Sequence, residues 1–236
     1  MNDLYLLENS TVLKNLLGIT NEKELDLAEA ELSRANMMLL YENGFDDFSS
    51  GGFCFIHKAL FGDVYEWAGQ YRNINIQKRE KLLAGQSIWY SDCMNIETDL
   101  DNAWKNINKV KWDELSREDF AKQIARLFSA LWQVHPFREG NTRTTVMMMT
   151  FFIEHYGYYF DQILMAESAG YVRDSFVLAS LGKYSEYEHL EKILLDAVCA
   201  DPIDYDEIAV NDENTKERYK KYKSKDYTPT KHEYIE

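Results

Sequence analysis

Residues His135 to Thr144 read HPFREGNTRT and place a titratable imidazole, a carboxylate, an amide and a guanidinium in one short stretch. Histidine has an unperturbed pKa of about 6.5, so His135 can act as a general base at neutral pH. Glu139 can hold a hard cation such as Mg2+ that bridges phosphate oxygens. Arg143 offers a planar donor fork suited to those oxygens. This set suits deprotonation of a hydroxyl that attacks phosphorus, whereas the alternative is that His135 and Arg143 only cap helices.

The motif lies between two helices predicted from hydrophobic spacing. Upstream, apolar residues recur at helical intervals and predict a helix that ends near Val134, before Pro136: Phe120, Ile124, Leu127, Phe128 and Leu131. Downstream, the apolar run TTVMMMTFF predicts a buried helix too short to span a bilayer. Gly140 and Asn141 would begin that second helix. A helix start leaves backbone N–H groups unpaired and carries about half a positive charge, so it can bind phosphate.

The motif resembles the signature of the Fic family (filamentation induced by cyclic AMP), H-x-F-x-[DE]-G-N-G-R-x-x-R. Six positions match: His135, Phe137, Glu139, Gly140, Asn141 and Arg143. Thr142 replaces the second glycine, and Val146 stands where the family has a second arginine. The stretch GDVYEWAGQYR is similar to a second segment typical of the family. The resemblance therefore extends well beyond the loop.

The resemblance implies an enzyme that transfers AMP from ATP to a Ser, Thr or Tyr hydroxyl of a target protein and releases pyrophosphate, with Mg2+ as cofactor. His135 would be the base and Glu139 the metal ligand. Asn141 and the loop amides, with Gly140 and Thr142, would bind the α-phosphate, and Arg143 would bind the β-phosphate. Phe137 would anchor the loop in the core.

Val146 leaves the nucleotide donor open, because the family's second arginine contacts the γ-phosphate. The related Doc toxins phosphorylate their targets and also lack that arginine, but they carry lysine at the position of Thr142. A phosphotransferase, a de-AMPylase or a catalytically weak nucleotide-binding module are therefore the alternatives. Intact His135, Glu139, Asn141 and Arg143 argue against the last of these.

The resemblance predicts an all-α fold, a Fic-like helical bundle with a small β-hairpin flap over the active site. Alternating residues from Tyr71 to Gln77 predict the strand of that flap. In the family its edge binds the target by strand addition, here through Ile74, Asn75 and Ile76. The alternative is a minor hairpin that ties two helices together. His57, on a predicted helix, is expected to be structural.

Composition limits the remaining possibilities. The 236 residues carry a net charge of −14, which argues against broad nucleic-acid or membrane binding. Three cysteines without CxxC spacing, no apparent secretory signal and no long apolar run predict a cytoplasmic protein, the alternative being export by a dedicated secretion machine that recognises another signal. We expect ATP and a hydroxyl-bearing protein as partners, and neither nucleic acid nor membrane.

The chain is expected to divide into an N-terminal helical extension (1–44), a catalytic domain (45–200) and a polar C-terminal helix or tail (201–236). Many Fic enzymes are restrained by a helix with the motif [ST]-x-x-x-E-[GN]. Ser33 begins this spacing, but Met37 occupies the glutamate position. Glu213 and Asn214 match its end, but Ala209 does not match its start. Control is therefore expected from an inhibitory partner protein, from self-association or from weak donor binding.

Overall fold

The computed structural model describes residues 3–203 and 219–223, and this part of the chain is predominantly helical. Eight α-helices lie within it: α1 (Glu22–Asn43), α2 (Ser50–Phe61), α3 (Ile96–Ile107), α4 (Arg117–Val134), α5 (Asn141–His155), α6 (Gln162–Glu167), α7 (Ala169–Leu178) and α8 (Glu188–Ala197). Strands β1 (Tyr159–Phe160) and β2 (Val198–Cys199) form one antiparallel pair, with Tyr159 opposite Cys199. The predicted all-α fold class is confirmed, although the antiparallel pair joins residues other than those predicted for the flap.

The chain forms two compact units. The first contains the chain up to Ile76, Ser91–Trp104 and Val134–Phe151. The second contains Gln77–Tyr90, Lys105–Gln133 and the chain from Phe152. The loop motif, α1 and α2 all lie in the first unit. The predicted boundaries at residues 44 and 200 stay predictions.

Local signals set the ends of α1. The side chain of Asn21 accepts a hydrogen bond from the Glu24 N–H and caps the helix start. The helix ends at Gly44, whose φ of 72° is a conformation that glycine adopts without steric cost. Residues 3–20 contain turns and an isolated bridge between Leu6 and Leu13. The helical part of the predicted N-terminal extension therefore begins at Glu22.

The helices on either side of the motif have the predicted limits. The hydroxyl of Ser116 accepts from the Asp119 N–H at the start of α4. Of the apolar residues that predicted the helix, Phe120, Ile124, Phe128 and Leu131 are fully buried, and Leu127 is half-buried. The helix ends at Val134, and α5 begins at Asn141. The motif is thus the loop between two well-defined helices.

The strand predicted for Tyr71–Gln77 is wrong, because these residues pair with no strand in the described part of the chain. Burial does alternate: Arg72 is buried, Asn73 and Asn75 are exposed, and Ile74 is half-buried. A segment lying on a protein surface, here with bends at Asn73 and Ile74, produces this alternation without a neighbouring strand. Period two reports alternating burial, whereas a strand also needs a partner for its backbone groups.

Two further predictions concern membrane-spanning helices and the C-terminal tail. None of the helices in the described ranges combines the length and the apolar content needed to cross a bilayer. The predicted C-terminal helix or tail falls mostly outside the described residues, as do Ala209, Glu213 and Asn214.

Candidate active site

The backbone of His135 begins the loop in a left-handed conformation. Its φ is 51°, which is uncommon for a residue with a side chain, and the residue is buried. This left-handed residue follows the last residue of α4, Val134, and precedes Pro136. Strained conformations of this kind persist only where the surrounding structure holds them.

Arg72 provides part of that support. Its guanidinium Nε donates to the His135 carbonyl at 2.9 Å, and its backbone N–H donates to the Pro136 carbonyl at 2.8 Å. The other arms of the fork donate to the carbonyls of Ile74, at 2.7 Å, and Ser91. Arg72 is 1% exposed, so these carbonyls take the place of water around a buried cation. One side chain therefore joins the start of the motif loop to the segment Tyr71–Gln77, which contains Ile74.

Asn141 closes the loop from its other end. Its side-chain oxygen accepts from the Phe137 N–H at 2.9 Å, and its side-chain nitrogen donates to the Phe137 carbonyl at 2.8 Å. This reciprocal pair satisfies both backbone groups of Phe137 within the buried interior. In this arrangement Asn141 shapes the loop. Its predicted contact with the α-phosphate stays a prediction.

Phe137 and His57 form the base beneath the loop. Phe137 is fully buried, and its ring stacks on the His57 ring with centroids 3.8 Å apart. Nδ1 of His57 accepts from the Gly69 N–H at 2.8 Å, so Nε2 carries the proton and donates to the Glu139 carbonyl at 3.0 Å. Burial lowers the pKa of His57 to about 3, although the Glu139 carbonyl favours the proton. His57 is thus a neutral structural histidine.

Gly140 sits where the loop enters α5. Its φ is 81°, and a Cβ built there would lie 2.4 Å from the ring of Phe61. The carbonyl of Gly140 accepts from the N–H of Thr144 at 3.0 Å in the first turn of the helix. Glycine is required both for the left-handed backbone and for the close approach to the ring. The half-buried Thr142 lies in the same first turn, and the N–H groups of a helix's first turn have no hydrogen-bond partner within the helix.

Arg143 is held by residues from outside the motif. Its guanidinium pairs with the carboxylate of Glu29 and donates to the Ser33 hydroxyl at 2.8 Å, both on α1. The Tyr65 hydroxyl donates to the same carboxylate. The guanidinium carbon also lies 4.6 Å from the centre of the Phe61 ring. Glu29, Ser33 and Phe61 therefore orient Arg143 directly, and Tyr65 does so through Glu29.

A cavity of about 520 Å³ opens beside this group. Its lining includes Glu139, Arg143, Arg138, Glu29 and Tyr65, so the predicted metal ligand and the predicted phosphate ligand line the same cavity. Arg138 is fixed there by an ion pair with Asp3 at 2.8 Å. The cavity is large enough for a phosphate chain and its hydration.

The residues present fit a Mg2+ ion that a nucleotide brings with it. In the described part of the chain, His, Cys, Asp and Glu side chains form no cluster of three or more suited to a metal. Mg2+ is commonly held by one or two carboxylates together with substrate phosphates and water. Glu139 supplies one carboxylate on the cavity wall, and its Oε1 accepts from the Gly140 N–H at 3.1 Å. That carboxylate lies at the loop predicted to bind phosphate.

The predicted target-binding residues lie on the segment Tyr71–Gln77. The side chain of Asn75 donates to Asp92 at 2.8 Å and accepts from the Cys93 N–H at 2.7 Å. The N–H of Met94 and the amide of Asn75 lower the pKa of the exposed Asp92. Ile74 and Ile76 are half-buried, with Asn75 exposed between them. These contacts hold the segment in place without a second strand.

The structure places the motif loop between the two predicted helices and adds supports that the pattern did not identify. Arg72 and Glu29 contact the motif residues His135 and Arg143, yet neither had a role in the sequence interpretation. Arg72 had one available signal, since it ends the family-like stretch GDVYEWAGQYR. Glu29 had none, because it is one of several carboxylates along α1.

Known proteins resemble this chain in sequence. The chain matches the family model described as Fic/DOC family over residues 47–153. It is 31% identical over 155 residues to the "Probable protein adenylyltransferase y4lH" of Sinorhizobium fredii, covering 64% of this chain and 75% of that protein. It is 29% identical over 150 residues to a protein adenylyltransferase of Bartonella henselae, covering 59% of this chain but only 28% of that longer protein.

Solved structures resemble the fold over most of its length. The N-terminal Fic domain of a VirB-translocated Bep effector from Bartonella quintana matches with a TM-score of 0.69 at 25% identity, covering 83% of this chain and 91% of that one. The BepC protein of Bartonella tribocorum, solved with bound AMPPNP, matches with a TM-score of 0.71 at 22% identity, covering 84% and 97%. These structures show the fold, and the 31% identity to the Sinorhizobium fredii protein, 75% of which is covered, together with the family-model match, shows that the chain belongs to the Fic/DOC family.

Proposed function

We propose that this protein is a protein adenylyltransferase that transfers AMP from ATP to a Ser, Thr or Tyr hydroxyl of a target protein. The observation that carries the proposal is the cavity next to the start of α5, which both Glu139 and Arg143 line. A carboxylate for a cation, a guanidinium and a helix start are what a polyphosphate needs. The relatives named as protein adenylyltransferases support the same reaction.

In the proposed reaction, His135 takes the proton of the target hydroxyl. The hydroxyl oxygen attacks the α-phosphorus, the bond between the α-phosphorus and the bridging oxygen breaks, and pyrophosphate leaves with that oxygen. The helix-start amides around Gly140 and Thr142 orient the α-phosphate, with Asn141 maintaining the loop. Arg143 binds the β-phosphate, where negative charge grows as pyrophosphate departs. Phe137 keeps the loop in register with the core.

Mg2+ held by Glu139 and the phosphates would reduce the negative charge that the attacking oxygen meets. Carboxylate and phosphate oxygens are the ligands this ion prefers, which supports Glu139 as its protein ligand.

The target would bind along the segment Tyr71–Gln77, at Ile74, Asn75 and Ile76. The absence of a partner strand at Tyr71–Gln77 in the described part of the chain supports this proposal, because backbone groups without a neighbouring strand can pair with an incoming peptide. Arg72 would then connect target binding with the loop, since it contacts the carbonyls of both Ile74 and His135.

We place this activity in the cytoplasm, where three unbridged cysteines, Cys54, Cys93 and Cys199, would stay reduced. We also propose that residues 45–200 form the catalytic domain and residues 1–44 an extension packed on it. An inhibitory partner protein or self-association would control the activity.

The experiment compares wild type with His135→Ala and Glu139→Ala in separate reactions with α-labelled and γ-labelled ATP plus Mg2+. Self-labelling and labelling of a cell lysate are both followed. Transfer of the α-label alone, lost in His135→Ala, is the expected result. Transfer of the γ-label would assign the protein to the phosphotransferases, an alternative that Val146 leaves open. No transfer of either label by wild type would contradict the proposal.

A further inference from the structure

We propose that Glu29 is a positioning residue that fixes the guanidinium of Arg143 for the β-phosphate of the nucleotide. The inference rests on the proposed function, since it assumes that the cavity beside Arg143 receives a nucleotide phosphate chain. It extends the site from the loop motif to α1, more than a hundred residues earlier in the chain.

The contacts to Glu29 form a closed set. One carboxylate oxygen pairs with Arg143, and the other accepts from the Tyr65 hydroxyl. Glu29 is 7% exposed and Tyr65 is 1% exposed, so water competes little for these bonds. One helical turn further along α1, the buried Ser33 accepts from the second terminal nitrogen of Arg143. Tyr65 thus holds one oxygen of the Glu29 carboxylate while the other oxygen binds Arg143.

Arg143 needs such support because its side chain is long and lies half-exposed at the cavity wall. Arginine has many rotamers in solution, and their loss opposes phosphate binding unless it has already occurred. Guanidinium has five N–H donors, and the described contacts with Glu29 and Ser33 use one on each terminal nitrogen. Donors therefore remain for phosphate oxygens while the Phe61 ring limits rotation of the plane.

The opposite interpretation is that Glu29 occupies the place of a phosphate and inhibits. Tyr65 argues against it, because a carboxylate that must leave Arg143 would also have to break or drag along a buried hydroxyl contact. Glu29 also lies within α1, between Leu25 and Ser33, both of which are buried. A residue held within a packed helix is suited to orienting a partner, not to moving away from it.

The test measures binding of ADP and of AMP, each with Mg2+, to the full chain by calorimetry. The two nucleotides differ by the β-phosphate alone. Glu29→Gln keeps the shape of the side chain and removes its charge. We expect it to weaken ADP binding about tenfold or more and to leave AMP binding within about threefold of wild type. Glu31→Gln, an exposed carboxylate two residues along the same helix, is the matched control and should change neither.

A second comparison separates positioning from stability. In the Arg143→Ala background, Glu29→Gln should cause no further loss of ADP affinity, because the group it orients is gone. Circular dichroism melts of wild type, Glu29→Gln, Arg143→Ala and the double variant report whether each protein is folded. Equal losses of AMP and ADP affinity in Glu29→Gln would show a structural role and overturn the inference.

Tighter ADP binding or faster α-label transfer in Glu29→Gln than in wild type would identify an inhibitory contact and would also overturn it. Unchanged binding of both nucleotides would show that the pair has no role. Wild type that binds ADP with this dependence on Glu29 but transfers no α-label would contradict the proposed function while leaving the positioning role intact. Wild type that binds neither nucleotide would contradict both.

Discussion

Replacing Gly140 with alanine tests the packing that shapes the motif loop. The backbone there has a φ of 81°, and the new Cβ would lie 2.4 Å and 2.6 Å from two carbon atoms of the Phe61 ring. Left-handed backbone costs a non-glycine residue roughly 1–2 kcal/mol. Overpacking a rigid core adds about 1–3 kcal/mol. The free energy of unfolding should therefore fall by about 2–5 kcal/mol in total.

Gly157 provides the matched control for the steric part of that cost. Its φ is 80°, but a Cβ there meets no atom within 4 Å. Gly157→Ala should therefore lose only the backbone part, and the difference between the two variants, about 1–3 kcal/mol, measures the clash with Phe61. Urea unfolding of wild type and both variants gives these free energies. A thermal scan should show Tm lowered by about 2–4 °C for each kcal/mol lost.

The clash should also reduce activity. The Phe61 ring lies 4.6 Å from the guanidinium carbon of Arg143 and 4.9 Å from the centre of the His57 ring, so moving it disturbs both ends of the loop. Phe61→Leu combined with Gly140→Ala should cost less than the sum of the two single changes, because the smaller side chain relieves the contact. Equal losses of stability in the alanine variants of Gly140 and Gly157 would refute this reasoning.

Two further substitutions test the other supports of the loop. Arg72→Lys removes the guanidinium contacts to the carbonyls of His135 and Ile74 and should lower the free energy of urea unfolding by about 2–4 kcal/mol, with slower α-label transfer. His57 has a pKa lowered to about 3 in the folded protein, against about 6.5 when unfolded, so the unfolded chain binds the extra proton between these values. Its contribution to stability is complete above about pH 6.5 and is lost as pH falls toward about 3. His57→Gln should therefore flatten the dependence of unfolding free energy on pH in this window.

Controls accompany both variants. Exposed Arg79→Lys, on the neighbouring loop, should leave stability unchanged, and loss of stability equal to that of Arg72→Lys would show that the buried carbonyl contacts are unimportant. Exposed His155→Gln controls for the removal of a histidine. If His57→Gln retained the full acid sensitivity of wild type, another group would be responsible for it.

The sequence alone determined the helices that flank the motif and the position of the loop between them. Those features depend on local chemistry: the capping by Ser116, the apolar face of α4 and the sharp stop before Pro136. The residue types of His135 and Glu139 also indicated phosphoryl chemistry without any coordinates. Such signals act within a few residues, so they can be recognised along the chain.

Tertiary structure decided everything that depends on distant partners. The period-two pattern from Tyr71 correctly indicated alternating burial, but only the fold shows that no strand in the described part of the chain pairs with it. The contacts of Glu29 with Arg143, and of Arg72 with His135, join residues 114 and 63 positions apart. A buried carboxylate or guanidinium is stable only where a folded chain supplies its partners, and no pattern of neighbours along the sequence encodes which partners those are.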